Sequence, residues 1–367
     1  MQSAVHIDGW LLQARKKALS AFLVDSDKMV MGNLFFASRM IRQWPIRTGF
    51  SRKSKMTSFQ LIWPIVMSMV LLSACETVIE VDPPDYNSEL AIISKFSPDS
   101  VWSARVTKTL PLGSLGDTTD AFLTDATVMV YREESLVARL IHDGGEDGWY
   151  VSSQLRKPRA NVSYRIVVEA PGLRSVSAIS MAPAPPVIPE AEISSLDATD
   201  VFEDSGYVVS FSLENRPGLN YYSFGIFLGF PLGGSTYRVQ GLPMRHDSPR
   251  WFCSFSDVLN PVSVEASDDF DCSLGVSSDR FVDNPDFDFD IKVQIPSDLG
   301  NLEEATLILL VTALSPEYVE YHGSIEEQED FGGFGEPANI YTNLEGGRGI
   351  FAGYSASHRL FDLAVIE

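Results

Sequence analysis

The chain reads as all-β. An N-terminal Ig-like or prealbumin-like sandwich is expected, followed by a second β-rich domain with one short helix. Three observations predict this. Short apolar/polar alternations recur after Tyr86, turn signals such as Asp143-Gly144-Gly145 and Pro171-Gly172 separate them, and a proline-rich stretch splits the series in two.

In the first half the alternation predicts strands at Glu89 to Phe96, Val101 to Thr109, Ala126 to Tyr131, Leu136 to Ile141, Trp149 to Ser152, Tyr164 to Glu169 and Arg174 to Ser180. Seven short strands within about 95 residues suit a small sandwich. The segment Ala182-Pro-Ala-Pro-Pro-Val-Ile-Pro189 cannot join a sheet interior and is read as an extended linker. Beyond it, strands are expected at Tyr207 to Glu214, Tyr221 to Gly229, Thr236 to Gly241, Phe287 to Gln294, Ala305 to Ala313, Gly349 to Ser355 and His358 to Ile366. One helix is expected to start after Ser315, with Ser315 as N-cap, Pro316 at the first helical position and Glu317 complementing the helix dipole. Tyr318, Tyr321 and Ile325 give it an apolar face.

The leader carries a separate signal. Arg42, Arg47, Arg52, Lys53 and Lys55 precede an apolar run from Phe59 to Leu72, and Leu72-Ser73-Ala74-Cys75 follows. This is the order of a bacterial lipoprotein signal, with cleavage before Cys75 and lipid on its sulfur. A transmembrane anchor is the alternative, but the run is about 14 residues where a span needs roughly 20. The reading divides the chain into an upstream extension (1–39), a signal peptide (40–74), a lipidated tether (75–86), a sandwich (87–181), a linker (182–189) and a second β domain (190–367).

Removing the first 74 of 367 residues leaves 293, with 18 Lys/Arg against 46 Asp/Glu, a formal charge near −28. Such a surface repels nucleic acid and anionic headgroups, so no nucleic-acid partner is expected. Cys253 and Cys272 remain as a pair in an oxidising compartment and are expected to form a disulfide; two free buried thiols are the alternative.

Motifs for chemistry are sparse. His142, His246, His322 and His358 show no metal spacing, and no G-x-S-x-G elbow occurs. No catalytic residue and no cofactor is expected. Asp268, Asp269, Asp271, Asp283 and Asp286 offer oxygen ligands for calcium, without an EF-hand pattern. Asp286, Asp288 and Asp290 also alternate with Phe287, Phe289 and Ile291, as a solvated strand face would. Trp102, Trp149, Trp251, Tyr221 and Tyr222 are candidates for a glycan platform or for core packing.

The stretch from Glu336 and Pro337 through Asn343, Gly346, Gly347, Gly349 and Phe351 resembles the closing motif of a Bacteroidota lipoprotein family, domain of unknown function 4249. Asp125-Ala126-Thr-Val128, Asn220-Tyr221-Tyr222, Phe281-Val-Asp283 and the tyrosine-bearing helix resemble other pieces of that family in the same order. Arg348 departs from its pattern. The resemblance implies a non-catalytic outer-membrane lipoprotein, surface-exposed or on the periplasmic face, accessory to a TonB-dependent receptor. Direct glycan or peptide binding is the second reading and a hydrolase the third. The glycines of the motif are read as a backbone reversal rather than a phosphate cradle, because a strand and not a helix is expected after them.

Overall fold

The computed structural model describes residues 86–111, 119–196, 206–214, 216–231, 237–246, 251–259, 272–281, 286–295, 305–330 and 339–363. Asn87–Glu367 fall in one compact unit. Among the described residues no helix is long and apolar enough to cross a membrane.

The first sandwich holds β1 (Leu90–Phe96), β2 (Ser103–Lys108), β3 (Thr127–Arg132), β4 (Ser135–His142), β5 (Trp149–Ser152), β6 (Ser163–Glu169) and β7 (Val176–Met181). Their order across the ribbon is β1-β2-β5-β4-β3-β6-β7. Period-two alternation does the work here: β1 buries Leu90, Ile92, Ser94 and Phe96 and turns the residues between them outward. The core gathers Trp102, Val106, Val128, Tyr150, Ile166 and Val168 around them.

The second part holds β8 (Ala191–Leu196), β9 (Gly206–Glu214), β10 (Tyr221–Pro231), β11 (Tyr237–Gly241), β12 (Met244–His246), β13 (Trp251–Phe252), α1 (Phe255–Leu259), β14 (Gly275–Ser278), β15 (Asp286–Gln294), β16 (Thr306–Leu314), α2 (Pro316–Asp330) and β17 (Arg348–Asp362). One sheet runs β12-β15-β9-β8 and the other β13-β14-β10-β16-β17. Phe211, Phe224, Trp251 and Phe289 meet between them with ring centroids 4.8 to 6.4 Å apart.

The all-β expectation holds, and several details differ. Two helices occur among the described residues rather than one short one: α2 has 15 residues, and α1 has five. Ser254 Oγ accepts the Asp257 N–H at 3.1 Å, and Glu326 Oε2 accepts the N–H groups of Phe255 and Ser256 at 2.6 and 2.9 Å. A carboxylate from α2 thus caps α1, which is too short to announce itself in sequence. Gly323 permits the close contact, since a Cβ there would lie 2.7 Å from Leu259 Cδ1. Ser315 stands at the N-cap position, but its buried hydroxyl finds no partner among the described residues; its carbonyl accepts from Tyr318 and Val319 instead.

The two strands expected at Gly349 to Ser355 and His358 to Ile366 are one strand, β17. Its first part, Arg348 to Gly353, pairs in parallel with Ala91 to Phe96 of β1. Its second part, Tyr354 to Asp362, pairs antiparallel with β16. Phe351 and Leu344 accordingly belong to the first core, although they lie far beyond the proline stretch. The apparent break came from Ser355-Ala356-Ser357, which looks too polar for a strand interior.

Those serines explain the proline stretch. Ser355 Oγ donates to the Pro183 carbonyl at 2.5 Å, Ser357 Oγ to the Pro186 carbonyl at 2.7 Å, and the Arg359 guanidinium to the Ile188 carbonyl. Residues 355, 357 and 359 share one face of β17. Proline has no N–H to offer a neighbouring strand, so the segment is held through its carbonyls by side chains. Ala182 is buried in the first core and Ile188 in the second. The stretch marks where the cores divide, but it is docked along β17 rather than spanning open solvent.

Candidate functional site

Beside the docked proline stretch lies a groove of about 760 Å3. One wall is Met181, Pro183, Ala184 and Val187; the other is Glu214, the 216–221 segment and the start of α2. Its rim is apolar: Leu219 is 53% exposed, Met181 45% and Val187 44%. Single exposed apolar residues are ordinary, but three line this one groove.

The 216–220 segment is fixed by two side chains. Arg216 donates from Nη1 to the Ala184 carbonyl at 2.6 Å and from Nη2 to the Pro185 carbonyl. Asn220 Nδ2 donates to the carbonyls of Arg216 and Gly218, each at 3.0 Å, and to Asp279 Oδ2 at 2.5 Å, while Asp279 Oδ1 accepts the Asn220 N–H at 2.9 Å. Leu219 is therefore presented from a rigid turn. The charged groups lining the groove besides Arg216 are Glu214 and Glu317, and Glu317 Oε2 accepts from Ser180 Oγ at 3.2 Å. Burial raises the Tyr221 phenol above its usual range, and Glu320 adds to that. Such a surface can hold an apolar segment. Sequence reasoning found Asn220-Tyr221-Tyr222 but missed Arg216 and Leu219. The signal was Arg216-Pro217-Gly218, a turn beside the proline stretch.

The closing motif is structural where it is described. Asn343 Nδ2 donates to the Phe351 carbonyl at 2.7 Å, and Asn343 Oδ1 accepts the Phe351 N–H at 3.0 Å. Gly349 has φ +102°, and a Cβ there would fall 2.1 Å from the Ile92 carbonyl oxygen. Only glycine fits that approach. A Cβ on Gly347 would lie 2.5 Å from the Leu90 carbonyl oxygen. Strand β17 begins at Arg348, within this run of glycines, so a strand and not a helix N-terminus continues from them. Arg348, the departure from the family pattern, pairs with Glu89 at 3.1 Å on the surface. Gly346 has φ +84° and turns the chain beside Arg174. Glu336 and Pro337 lie outside the described residues, as do Cys75, Asp268, Asp269, Asp271 and Asp283.

Cys253 and Cys272 are bonded, with Cα atoms 5.2 Å apart. Asp286 begins β15, where Asp288 and Asp290 are exposed and Phe289 and Ile291 buried, the alternation of a solvated strand face. Ser210 Oγ donates to Asp290 Oδ1 at 2.6 Å. Among the described residues no three His, Cys, Asp or Glu side chains gather as a metal site. Of the candidate platform aromatics, Trp102, Trp251 and Tyr222 are buried core residues, and burial pushes the Tyr222 phenol to about 12. His142 accepts the Gly144 N–H through Nδ1 and packs edge-on against Tyr150. His322 sits among Phe255, Tyr318 and Tyr321.

No family model matches the chain, and no curated protein matches it. Among solved structures, a chain described as a biofilm associated protein BSP domain aligns at 7% identity and a TM-score of 0.16, over 77% of this chain and 61% of that one. The chain thus spans under two thirds of that structure, and a likeness this slight carries no argument about fold or function.

Proposed function

We propose that the protein is a non-catalytic lipoprotein of the outer membrane, anchored through Cys75, that serves as an accessory to a TonB-dependent receptor or a related surface assembly. The lipobox and the family resemblance of the closing motif support the location and class. The observation that carries the accessory role is the groove between the docked proline stretch and the 216–221 segment. Its apolar rim is held by a rigid frame, which suits docking of a partner segment at low entropic cost. Three of the five aromatics considered for a glycan platform are spent on the two cores, which weakens the direct glycan-binding reading.

The test is photocrosslinking in intact cells. A photoreactive amino acid at Leu219 should yield an adduct with an integral outer-membrane β-barrel protein, while one at Ile141, exposed on β4, should not. Adducts of equal yield from both positions, or none from Leu219, would remove the groove as the docking surface.

A further inference from the structure

The negative charge is unevenly placed. Residues 86–182 carry 10 Lys/Arg against 11 Asp/Glu, whereas residues 183–367 carry 8 against 31. Within the nearly neutral first part, four cations gather around one pocket of about 430 Å3: Arg132, Arg156, Lys157 and Arg159. Trp102 and Tyr164, both buried, form its base.

The pocket is built on fixed backbone. It lies where β3 ends and where residues 153–162 cross from β5 to β6. Lys157 Nζ donates to the Asp99 carbonyl at 2.8 Å, the Arg159 N–H to the Tyr164 hydroxyl at 3.0 Å, and the Asn161 N–H to the Ala182 carbonyl at 2.8 Å. Among the described residues the guanidinium groups of Arg132, Arg156 and Arg159 form no ion pair, and all three side chains are exposed, as are Glu133 and Glu134 in the turn beside Arg132. Three exposed guanidinium groups lining one concavity make its potential positive, which an anion between them would offset. Planar guanidinium forks also match the oxygen geometry of phosphate and sulfate. Concavity and an aromatic base favour a small anionic group over the flat face of a protein.

We propose that this pocket binds a multivalent oxyanion, a phosphate or sulfate group carried on a soluble or polymeric ligand. The site does not depend on the accessory role, so its failure would leave that reading untouched.

The experiment is titration calorimetry of the purified full chain with inorganic pyrophosphate and with sulfate, beside sedimentation with phosphatidylglycerol vesicles. Saturable binding of at least one soluble anion is expected. It should weaken about tenfold or more in the Arg156→Gln/Arg159→Gln variant and weaken with added salt. Arg132→Gln, at the end of β3, should weaken binding without touching the 153–162 segment. Arg139→Gln, an exposed change on β4 outside the pocket, should bind as wild type does. No saturable binding of either anion, equal affinity in the pocket variants, or binding to vesicles alone would overturn the proposal.

Discussion

The side-chain amide of Asn343 closes on Phe351 from both sides, donating to its carbonyl at 2.7 Å and accepting its N–H at 3.0 Å. An asparagine here imitates a neighbouring strand. Strand β17 thereby keeps its partners where it passes from one core to the other, and Phe351 stacks on Phe96 with centroids 4.6 Å apart. Asn343→Ala leaves two buried backbone groups unpaired. A loss of about 2–3 kcal/mol is expected, read as a lower denaturant midpoint at unchanged slope. Asn343→Asp should not rescue it, because a carboxylate cannot donate to the Phe351 carbonyl. A midpoint within error of wild type for either variant would contradict the role.

Because β17 serves both cores, the described body should unfold in one transition. Gly349→Ala tests the link. Its φ of +102° and the 2.1 Å approach of the Ile92 oxygen leave no room for a methyl group. The strand must move, at a cost on the order of 3 kcal/mol. Tryptophan fluorescence reports both regions, since Trp102 lies in the first core and Trp251 in the second. One shared, lowered midpoint is expected; a variant that melts the first core and leaves the second intact would refute the shared strand.

The fold was legible where alternation was clean. All seven strands of the first sandwich stand out by their alternation, as in β2, where buried Ala104 and Val106 alternate with Ser103, Arg105 and Thr107. Strands β8, β12, β13 and β14 escaped notice because they are short or interrupted by serines. The largest error concerned Ser355 and Ser357, whose hydroxyls compensate for missing proline N–H groups 171 or more residues away in sequence. Such a pairing has no local signature. The groove and the basic pocket were hidden for the same reason: Leu219 and Val187, or Arg132 and Arg156, meet only through the fold. The cysteine pair, by contrast, needed only an even count and a compartment.

The Cys253–Cys272 bond closes a loop with a sequence separation of 19. Reduction, or Cys253→Ser/Cys272→Ser together, should lower stability by roughly 3 kcal/mol on the chain-entropy model. The bond holds β13 beside the short bridge between Met244 and Cys272. Non-reducing peptide mapping of protein prepared without reductant should recover the two cysteines linked. Free thiols at both positions would contradict the bond.

Cys75 as lipid site is checked independently of the fold. Metabolic labelling with an alkyne fatty acid should mark the wild-type protein and spare Cys75→Ser. Equal labelling of the two would remove the lipid anchor and, with it, the location proposed above. The unlipidated variant should keep the wild-type melting temperature, since the anchor precedes the first described strand.

His322 makes stability depend on pH. Burial holds its imidazole well below the ordinary value of 6.5, and the charge of Lys95 adds to that. Rings of Phe255, Tyr318 and Tyr321 pack against it, and its buried Nε2 finds no hydrogen-bond partner among the described residues. The sign follows from proton counting: near and below pH 6.5 the unfolded chain binds a proton that the folded chain refuses. The stability contributed by the neutral imidazole is therefore whole above about pH 6.5 and declines as pH falls from there toward the depressed folded pKa. The window to examine therefore runs from pH 6.5 down to about 5. Denaturant midpoints taken at intervals from pH 8 to 5 should fall across that window in wild type. His322→Phe keeps the aromatic contacts and has nothing to protonate. Its curve should be flatter between pH 6.5 and 5, and parallel wild-type and variant curves would show that His322 is not the group responsible.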